Sequence, residues 1–193
     1  MIPIYLRDLQ LPQVFAVSPA SVDRYLQQST KNEHIVDSEV HKISGFVTPT
    51  FGQIEEATLK YFSVENPAGH PYTLLQIDNG IIKSPATKKC DCAIANDMSL
   101  CFIEFKANAF SSNALTIQKN YSKAIEQLST TIGFFDKYLA TCGQNIRQLR
   151  TVESFICFRQ GYPRKTSSQM HYQVAFAAAN HGIPLSFVRK KTL

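Results

Sequence analysis

The stretch CFIEFKA, residues 101–107, has the composition of a buried strand but carries two charges. Its Cys, Phe and Ile residues are typical of a sheet interior, where an unpaired charge costs several kcal/mol or more. Because side chains alternate between the two faces of a strand, Glu104 and Lys106 project from the same face. A carboxylate and an ammonium placed together in so apolar a strand indicate a site with a chemical role.

A further acid lies in the segment that precedes this strand. Asp91 stands between Cys90 and Cys92, and a short polar connection over residues 96–99 separates the two segments. Two such runs joined by a short polar link are typical of an antiparallel hairpin. We therefore expect the hairpin to bring Asp91 together with Glu104 and Lys106.

Two carboxylates that meet repel each other, and the arrangement is stable mainly when a cation lies between them. Oxygen ligands favour a hard ion, so we expect Mg²⁺ at Asp91 and Glu104, with Mn²⁺ as a substitute. Mg²⁺ held by few protein ligands keeps several waters and polarises a phosphate. Lys106 is then placed to orient or help deprotonate an attacking water. The three side chains predict a metal-dependent hydrolytic site.

Two other interpretations use the same residues. Glu104 and Lys106 form an ordinary salt bridge if the other face of the strand is exposed to water. Cys90, Cys92 and Cys101, joined by a histidine, would offer a zinc site. However, a Cys-x-Cys pair in mid-strand more often packs as small apolar residues, and the five histidines show no metal spacing of their own.

The elements that must position the site begin at Phe51. Hydrophobic periodicity and turn residues predict the order helix, three strands, helix, strand, helix, strand. This order predicts an α/β fold with a mixed central β-sheet flanked by helices. Besides the hairpin, the predicted elements are a helix over 51–62, a strand over 72–78, a helix over 121–140, a strand over 152–158, a helix over 168–180 and a strand over 183–188.

The first 50 residues are predicted to form an N-terminal extension of the same domain, whose core spans 51–193, since 193 residues suffice for one good core. Ser18 followed by Pro19 is a helix start signal, which predicts a helix from about Ala20 to Gln28. Residues 31–48 alternate loosely and fit either one or two strands or a mobile arm.

The spacing of the charged residues resembles a known family. Asp91, twelve intervening residues and Glu104-x-Lys106 at the end of an apolar strand are similar to the core motif of the PD-(D/E)XK nuclease superfamily. The resemblance covers about residues 51–160 and implies a restriction-endonuclease-like αβββαβ core. It also implies metal ligands at Asp91 and Glu104 and a catalytic lysine at Lys106. The sequence departs from the motif at Cys90, which stands in place of the proline.

Two further site residues follow from the resemblance. Many family members carry an acid on the first helix, where Glu55 and Glu56 stand here. The resemblance implies that one of the two is a third metal ligand, with Glu56 as the candidate and Glu55 as the alternative. Many also carry a glutamine on the helix after the motif, which implies a role in catalysis for Gln127. Gln118 with Tyr121 is similar to a Gln-x-x-x-Tyr variant but one residue short, and Tyr121 also fits the apolar stripe of the helix.

Basic residues near the predicted site indicate where nucleic acid would bind. A net charge of +5 and a pI near 8.9 are compatible with a polyanionic partner. We expect Lys88, Lys89 and Arg159 to contact the phosphate backbone of DNA and Tyr162 to stack on a base. The sequence contains no recognisable reading head, so no sequence specificity is predicted.

The chain has no apolar run approaching the roughly 18 residues needed to cross a bilayer, and its start lacks the apolar core of a signal peptide. Five cysteines, an odd number, suit reduced thiols. We therefore expect a cytoplasmic protein that does not bind membranes.

The function predicted from the residues and the resemblance together is a Mg²⁺-dependent nuclease acting on DNA, with a role in restriction, repair, recombination or defence against mobile DNA. A homo-oligomer or a protein partner would supply targeting. The alternative is a catalytically inactive nuclease-fold subunit that binds nucleic acid or a protein partner.

Overall fold

A six-stranded mixed sheet lies at the centre of an α/β fold in the computed structural model, which describes residues 1–49, 51, 61–106, 109, 111–159 and 167–193. The strands are β1 (Leu26–Ser29), β2 (Glu33–Ser38), β3 (Ile43–Phe46), β4 (Tyr61–Glu65), β5 (Tyr72–Gln76), β6 (Cys92–Ala95), β7 (Ser99–Lys106), β8 (Thr151–Phe158), β9 (Leu185–Ser186) and β10 (Lys190–Thr192). The helices are a 3₁₀ helix (Ile4–Leu9), α1 (Leu11–Val14), α2 (Pro19–Asp23), α3 (Ala114–Thr141), α4 (Ile146–Leu149) and α5 (Ser167–Ala179).

The strand order in the central sheet is β1-β5-β6-β7-β8-β9. β5, β6 and β7 form an antiparallel meander, whereas β8 and β9 run parallel to β7. The parallel pair β7–β8 needs a crossover, and α3 lies in that connection. The predicted order of three strands, helix and strand is therefore present, and so is the predicted mixed sheet.

A second sheet, with the order β10-β4-β2-β3, covers one face of the central sheet. Its apolar side chains, such as Ile35 and Phe62, share a core with Leu74 and Ile103 of the central sheet. The helices pack on the opposite face. Both faces of the central strands are therefore buried, which is why β7 reads as an almost continuous apolar run.

The second sheet also corrects the first predicted helix. Its last two residues, Tyr61 and Phe62, belong to β4 and pair with β2. The segment Tyr61–Glu65 alternates between half-buried and buried residues with a period of two, which suits a strand that packs on one face. Most of the rest of that predicted helix, residues 52–60, lies outside the described residues.

α3 matches the predicted five-turn helix and extends it at the N-terminal end. The Asn113 side chain caps it by accepting hydrogen bonds from the backbone N–H groups of Leu115 and Thr116. Its apolar stripe packs on the central sheet, and Tyr121 is a buried core residue, as the stripe predicts. Helix α3 thereby covers the face of β7 that carries Leu100 and Phe102.

The N-terminal segment differs from its prediction in one place. Ser18 caps α2 as expected, its hydroxyl accepting from the N–H of Ser21. The helix ends at Asp23, however, and Leu26–Ser29 forms strand β1 along the edge of β5. Hydrogen bonds to that open edge outweigh the local helix preference. Residues 31–48 contain the antiparallel strands β2 and β3.

Arg150 fixes the N-terminal segment to the turn of the β6–β7 hairpin. Its guanidinium donates to both carboxylate oxygens of Asp8, at 2.7 and 2.8 Å, and to the carbonyl of Tyr5 at 2.6 Å. Its Nε donates to the carbonyl of Asn96 at 2.9 Å. The guanidinium is buried whereas Asp8 is partly exposed, and a planar fork that donates to both carboxylate oxygens is a favourable form of such an ion pair.

Candidate active site

The β6–β7 hairpin places two carboxylates at one end of the sheet. Cys92 pairs with Ile103, so Asp91 lies just before β6 at the level of Glu104. Asp91 Oδ2 accepts the backbone N–H of Phe105 at 2.5 Å, and its carbonyl accepts from the N–H groups of Ile77 and Asp78, both at 3.1 Å. Asp91 is therefore held between the ends of β5 and β7.

Glu104 is the most deeply buried acid of this region, with 1% of its surface exposed. Its Oε1 forms an ion pair with the ammonium of Lys106. Its Oε2 is also buried but has no hydrogen-bond partner among the described residues. An unpaired buried carboxylate oxygen is costly, so it marks this carboxylate as a candidate ligand for something that the protein does not supply itself.

Gln127 on α3 completes the group. Its Oε1 accepts from Lys106 Nζ at 3.0 Å, and its Nε2 donates to the carbonyl of Lys89 at 3.0 Å. The amide therefore links the catalytic-lysine candidate to the chain just before Asp91. Gln118 is exposed on the same helix. The structure thus brings together Asp91, Glu104, Lys106 and Gln127.

The pKa values of both carboxyl groups, Asp91 and Glu104, are raised. Burial raises the pKa of Glu104 to about 7, although the ammonium of Lys106 opposes the shift. Burial also raises the pKa of Asp91 well above its usual range, and the negative charges of Glu104 and Asp37 add to that shift. Desolvation outweighs the charge of the single lysine, so a proton or a further cation stabilises these two carboxyl groups.

Two acids that the sequence analysis did not include also lie near the site. Asp37 of β2 and Asp78 after β5 both help to raise the pKa of Glu104. Asp78 is paired with Lys89, whose ammonium lies 3.0 Å from Asp78 Oδ1. Asp37 carries one weak signal in the sequence, because it stands two residues after Ile35 in an alternating segment and so shares its face.

The residues predicted to contact DNA fall in different environments. Lys88 is exposed and pairs with Glu126. Lys89 is only 4% exposed; its ammonium donates to the carbonyl of Ser84 at 2.5 Å and pairs with an acid. Lys89 is thus a buried structural cation rather than a surface contact. Arg159 is half-buried directly after β8.

The remaining predicted site residues, Glu55, Glu56 and Tyr162, lie outside the described residues.

The oxygen donors at the site suit a hard divalent cation. Asp91 and Glu104 supply carboxylate oxygens, one of them the unpaired Oε2, which suits a hard divalent cation. Within the ranges that the structure describes, no three His, Cys, Asp or Glu side chains are close enough to hold one ion together. The predicted Mg²⁺ site therefore has two candidate protein ligands here.

The three cysteines considered as zinc ligands do not lie on the same face of the central sheet. Cys90 packs in the core on the helical face of the central sheet, whereas Cys92 and Cys101 pack in the core on the opposite face. Burial raises the pKa of all three thiols, which disfavours the thiolate that zinc requires. All five cysteines are free.

Comparison of the chain with protein-family models, with curated proteins and with solved structures found no match in any of the three. Among the helices that the structure describes, none is both long and apolar enough to cross a membrane.

Proposed function

We propose that the chain is a metal-dependent nuclease, whose active site is formed by Asp91, Glu104 and Lys106 with assistance from Gln127. The observation that carries the proposal is the buried, unpartnered Oε2 of Glu104 next to a second buried carboxylate. The resemblance of the Asp91 to Lys106 spacing to the PD-(D/E)XK motif supports the same assignment.

The proposed ligands of a divalent cation are Asp91 and Glu104. Their raised pKa values mean that the ionised pair lacks sufficient positive charge, and Mg²⁺ or Mn²⁺ suits carboxylate oxygens. The chemistry that such an ion supplies when bound is polarisation of a phosphate oxygen and a lower pKa for a coordinated water.

Lys106 and Gln127 then act on the substrate side of the site. The Lys106 side chain is 14% exposed, and its ammonium contacts Glu104. If Glu104 binds a cation, Lys106 keeps its second hydrogen bond to Gln127 Oε1. It therefore remains positioned to donate to a phosphate oxygen or to orient an attacking water.

DNA is the proposed substrate and the cytoplasm the proposed location. The net charge of +5 and the exposed Lys88 support a polyanionic partner. Five free cysteines support a reducing compartment. We further propose that a second copy of the chain or a partner protein supplies targeting, in a role such as restriction, repair, recombination or defence against mobile DNA.

The second candidate function is a nuclease-fold subunit that binds nucleic acid or a protein partner without cutting. It is favoured by one specific observation: within the described residues, two candidate ligands rather than three converge, and Lys106 already neutralises one of them.

A cleavage assay separates the two functions. Purified protein is incubated with linear double-stranded, circular and single-stranded DNA and with RNA, each in Mg²⁺, Mn²⁺ or chelator. We expect cleavage of DNA only with a cation, and a loss of about 10³-fold or more in Asp91→Asn, Glu104→Gln and Lys106→Met. Glu126→Gln is the matched control, because it removes an exposed carboxylate beside Gln127.

DNA binding without cleavage by the wild type would favour the second function. Equal cleavage by the wild type and all three site variants would rule out this site.

A further inference from the structure

Asp37 stands on the face of β2 that is directed toward the central sheet. It lies two residues after Ile35, which is fully buried in the core between the two sheets, and side chains two apart share a face. Its cross-strand partner on β3 is Ser44, whose hydroxyl donates to Asp37 Oδ1 at 3.2 Å. Asp37 itself is exposed, so it lies at the solvent-facing margin of the space between the sheets, with its carboxylate oriented by a neighbour.

Two hydrogen bonds fix the β2–β3 hairpin to the chain around the candidate active site. Gln76 Nε2 donates to the carbonyl of Ser44 at 2.7 Å, and Asn79 Nδ2 donates to the carbonyl of Lys42 at 3.0 Å. Ile77, which lies between these two anchors, donates its N–H to the carbonyl of Asp91. The end of β5 thus holds the hairpin on one side and Asp91 on the other.

The charges of the group do not balance. Among the described residues, the acids at this end of the sheet are Asp37, Asp78, Asp91 and Glu104. The two lysines there, Lys89 and Lys106, are paired with Asp78 and Glu104. Within the part of the chain that the structure describes, neither Asp37 nor Asp91 has a cationic partner within ion-pair distance. Each raises the negative potential at the buried oxygen of Glu104 that lacks a partner there.

We propose that Asp37 is the third acid of the candidate cation site and acts through the water ligands of the ion rather than by direct coordination. This inference rests on the proposed function. The three carboxylates of Asp37, Asp91 and Glu104 are not close enough to share one ion directly. Mg²⁺ and Mn²⁺ held by few protein ligands retain several waters, and a nearby carboxylate accepts hydrogen bonds from them. Such outer partners typically contribute 10- to 100-fold in metal affinity.

The test is Mn²⁺ binding by the chelator-treated full chain without nucleic acid, measured by isothermal titration calorimetry. We expect Asp37→Asn to weaken Mn²⁺ binding by about tenfold or more, and Asp37→Glu to retain most of the affinity because it keeps the carboxylate. Ser44→Ala keeps the charge but removes the orienting hydroxyl, so we expect a smaller loss. A merely structural role for Asp37 would lower the unfolding temperature without Mn²⁺, whereas we expect no decrease in Asp37→Asn.

Glu39→Gln is the matched control. It removes the same charge from the turn that follows β2. Asp37 is exposed as well, but its charge raises the pKa of both Asp91 and Glu104, so we expect the larger effect there and a change of less than about twofold in Glu39→Gln. Equal loss of affinity in Glu39→Gln and Asp37→Asn would overturn the assignment, since it would reflect net charge alone. So would unchanged affinity in Asp37→Asn.

The failure of the Asp37 assignment and the failure of the proposed function are distinguishable. If the wild type binds Mn²⁺, Glu104→Gln does not, and Asp37→Asn equals the wild type, only the role of Asp37 is refuted. If the wild type binds no Mn²⁺, both are refuted.

Discussion

The two ends of the β6–β7 hairpin hold charge in opposite ways. At the turn, Arg150 donates to both oxygens of Asp8 and to the carbonyls of Tyr5 and Asn96, so the buried cation has a full set of partners. At the other end, Glu104 has one paired oxygen and one buried oxygen without a partner.

This difference separates a structural ion pair from the proposed cation site. All donors of a buried arginine can be paired, as at Arg150, because such a residue has only to hold two segments together. A site that binds an ion or a substrate must leave some of its polar atoms without a protein partner. Its buried carboxylates then have raised pKa values. Glu104 and Asp91 have that property.

The largest effect on stability is expected at the turn of the hairpin, where Arg150 lies. Arg150→Met leaves three carbonyls and the partly exposed Asp8 without their donor, so we expect the free energy of unfolding in urea to fall by about 2 to 3 kcal/mol. The cleavage rate per folded molecule should be unchanged. In the control Arg147→Met, an exposed arginine of α4 that donates to the His181 carbonyl is lost, and about 1 kcal/mol or less is expected. Similar losses of unfolding free energy in both variants would contradict the larger contribution assigned to the fully paired guanidinium of Arg150.

The second effect is a pH dependence of the free energy of unfolding, which we expect from Glu104 at the other end of the hairpin. The pKa of Glu104 is about 7 in the folded protein against an ordinary value of 4.5. The folded state therefore holds this proton more tightly than the unfolded state, and its contribution to stability is present below pH 4.5 and is lost as pH rises through 7. We expect Glu104→Gln to equal the wild type at pH 4.5 and to exceed it by up to about 3 kcal/mol at pH 8.

Urea unfolding of both proteins at several pH values in chelator measures that difference. If the difference in unfolding free energy between the wild type and Glu104→Gln were constant from pH 4.5 to 8, the raised pKa of Glu104 would be contradicted. The charges at both ends of the hairpin would then be fully compensated.

A smaller effect is expected for Gln127. Gln127→Ala removes the acceptor that holds Lys106 and the donor to the Lys89 carbonyl. We expect a loss of about tenfold in DNA cleavage, because the lysine is less well oriented rather than absent. Gln118→Ala is the control, an exposed glutamine on the same helix, and should cleave like the wild type. A full loss of cleavage in Gln127→Ala would give this residue a more direct role.

The smallest effect is expected at the surface. Lys88 is exposed beside the site and pairs with Glu126, so Lys88→Ala should weaken DNA binding by about threefold. It should also reduce the slope of log affinity against log salt by about one. Lys137→Ala, an exposed lysine of α3 about 15 Å along the helix from Gln127, should leave both quantities unchanged. An equal effect of both substitutions would indicate binding by net charge alone.

The parts of the fold set by local pattern could be predicted from the sequence. The alternation within residues 90–106 placed Glu104 and Lys106 on one face, and the stripe of α3 gave the helix that carries Gln127. The pairing of the hairpin then follows from its short connection. These features depend on periods of 2 and 3.6 residues, which are visible in any one segment.

The features that depend on distant contacts were missed. Leu26–Ser29 contains one apolar residue and forms a strand because β5 offers it an open edge. Lys89 seemed a surface residue because nothing in its own segment shows that Asp78 will pair with it. Asp37 influences the charges of Asp91 and Glu104 only because a second sheet packs over the first. The periodicity of either sheet does not predict how the two sheets are placed relative to each other.

The measurement that tests the central claim most directly is the stabilisation of the protein by Mn²⁺ at pH 8. Unfolding free energies of the wild type and Glu104→Gln are compared in chelator and in Mn²⁺. We expect Mn²⁺ to stabilise the wild type by about 2.7 kcal/mol at 100 times its dissociation constant and to leave Glu104→Gln unchanged. Equal stabilisation of both proteins, or none in the wild type, would contradict the account of Asp91 and Glu104 as a cation site.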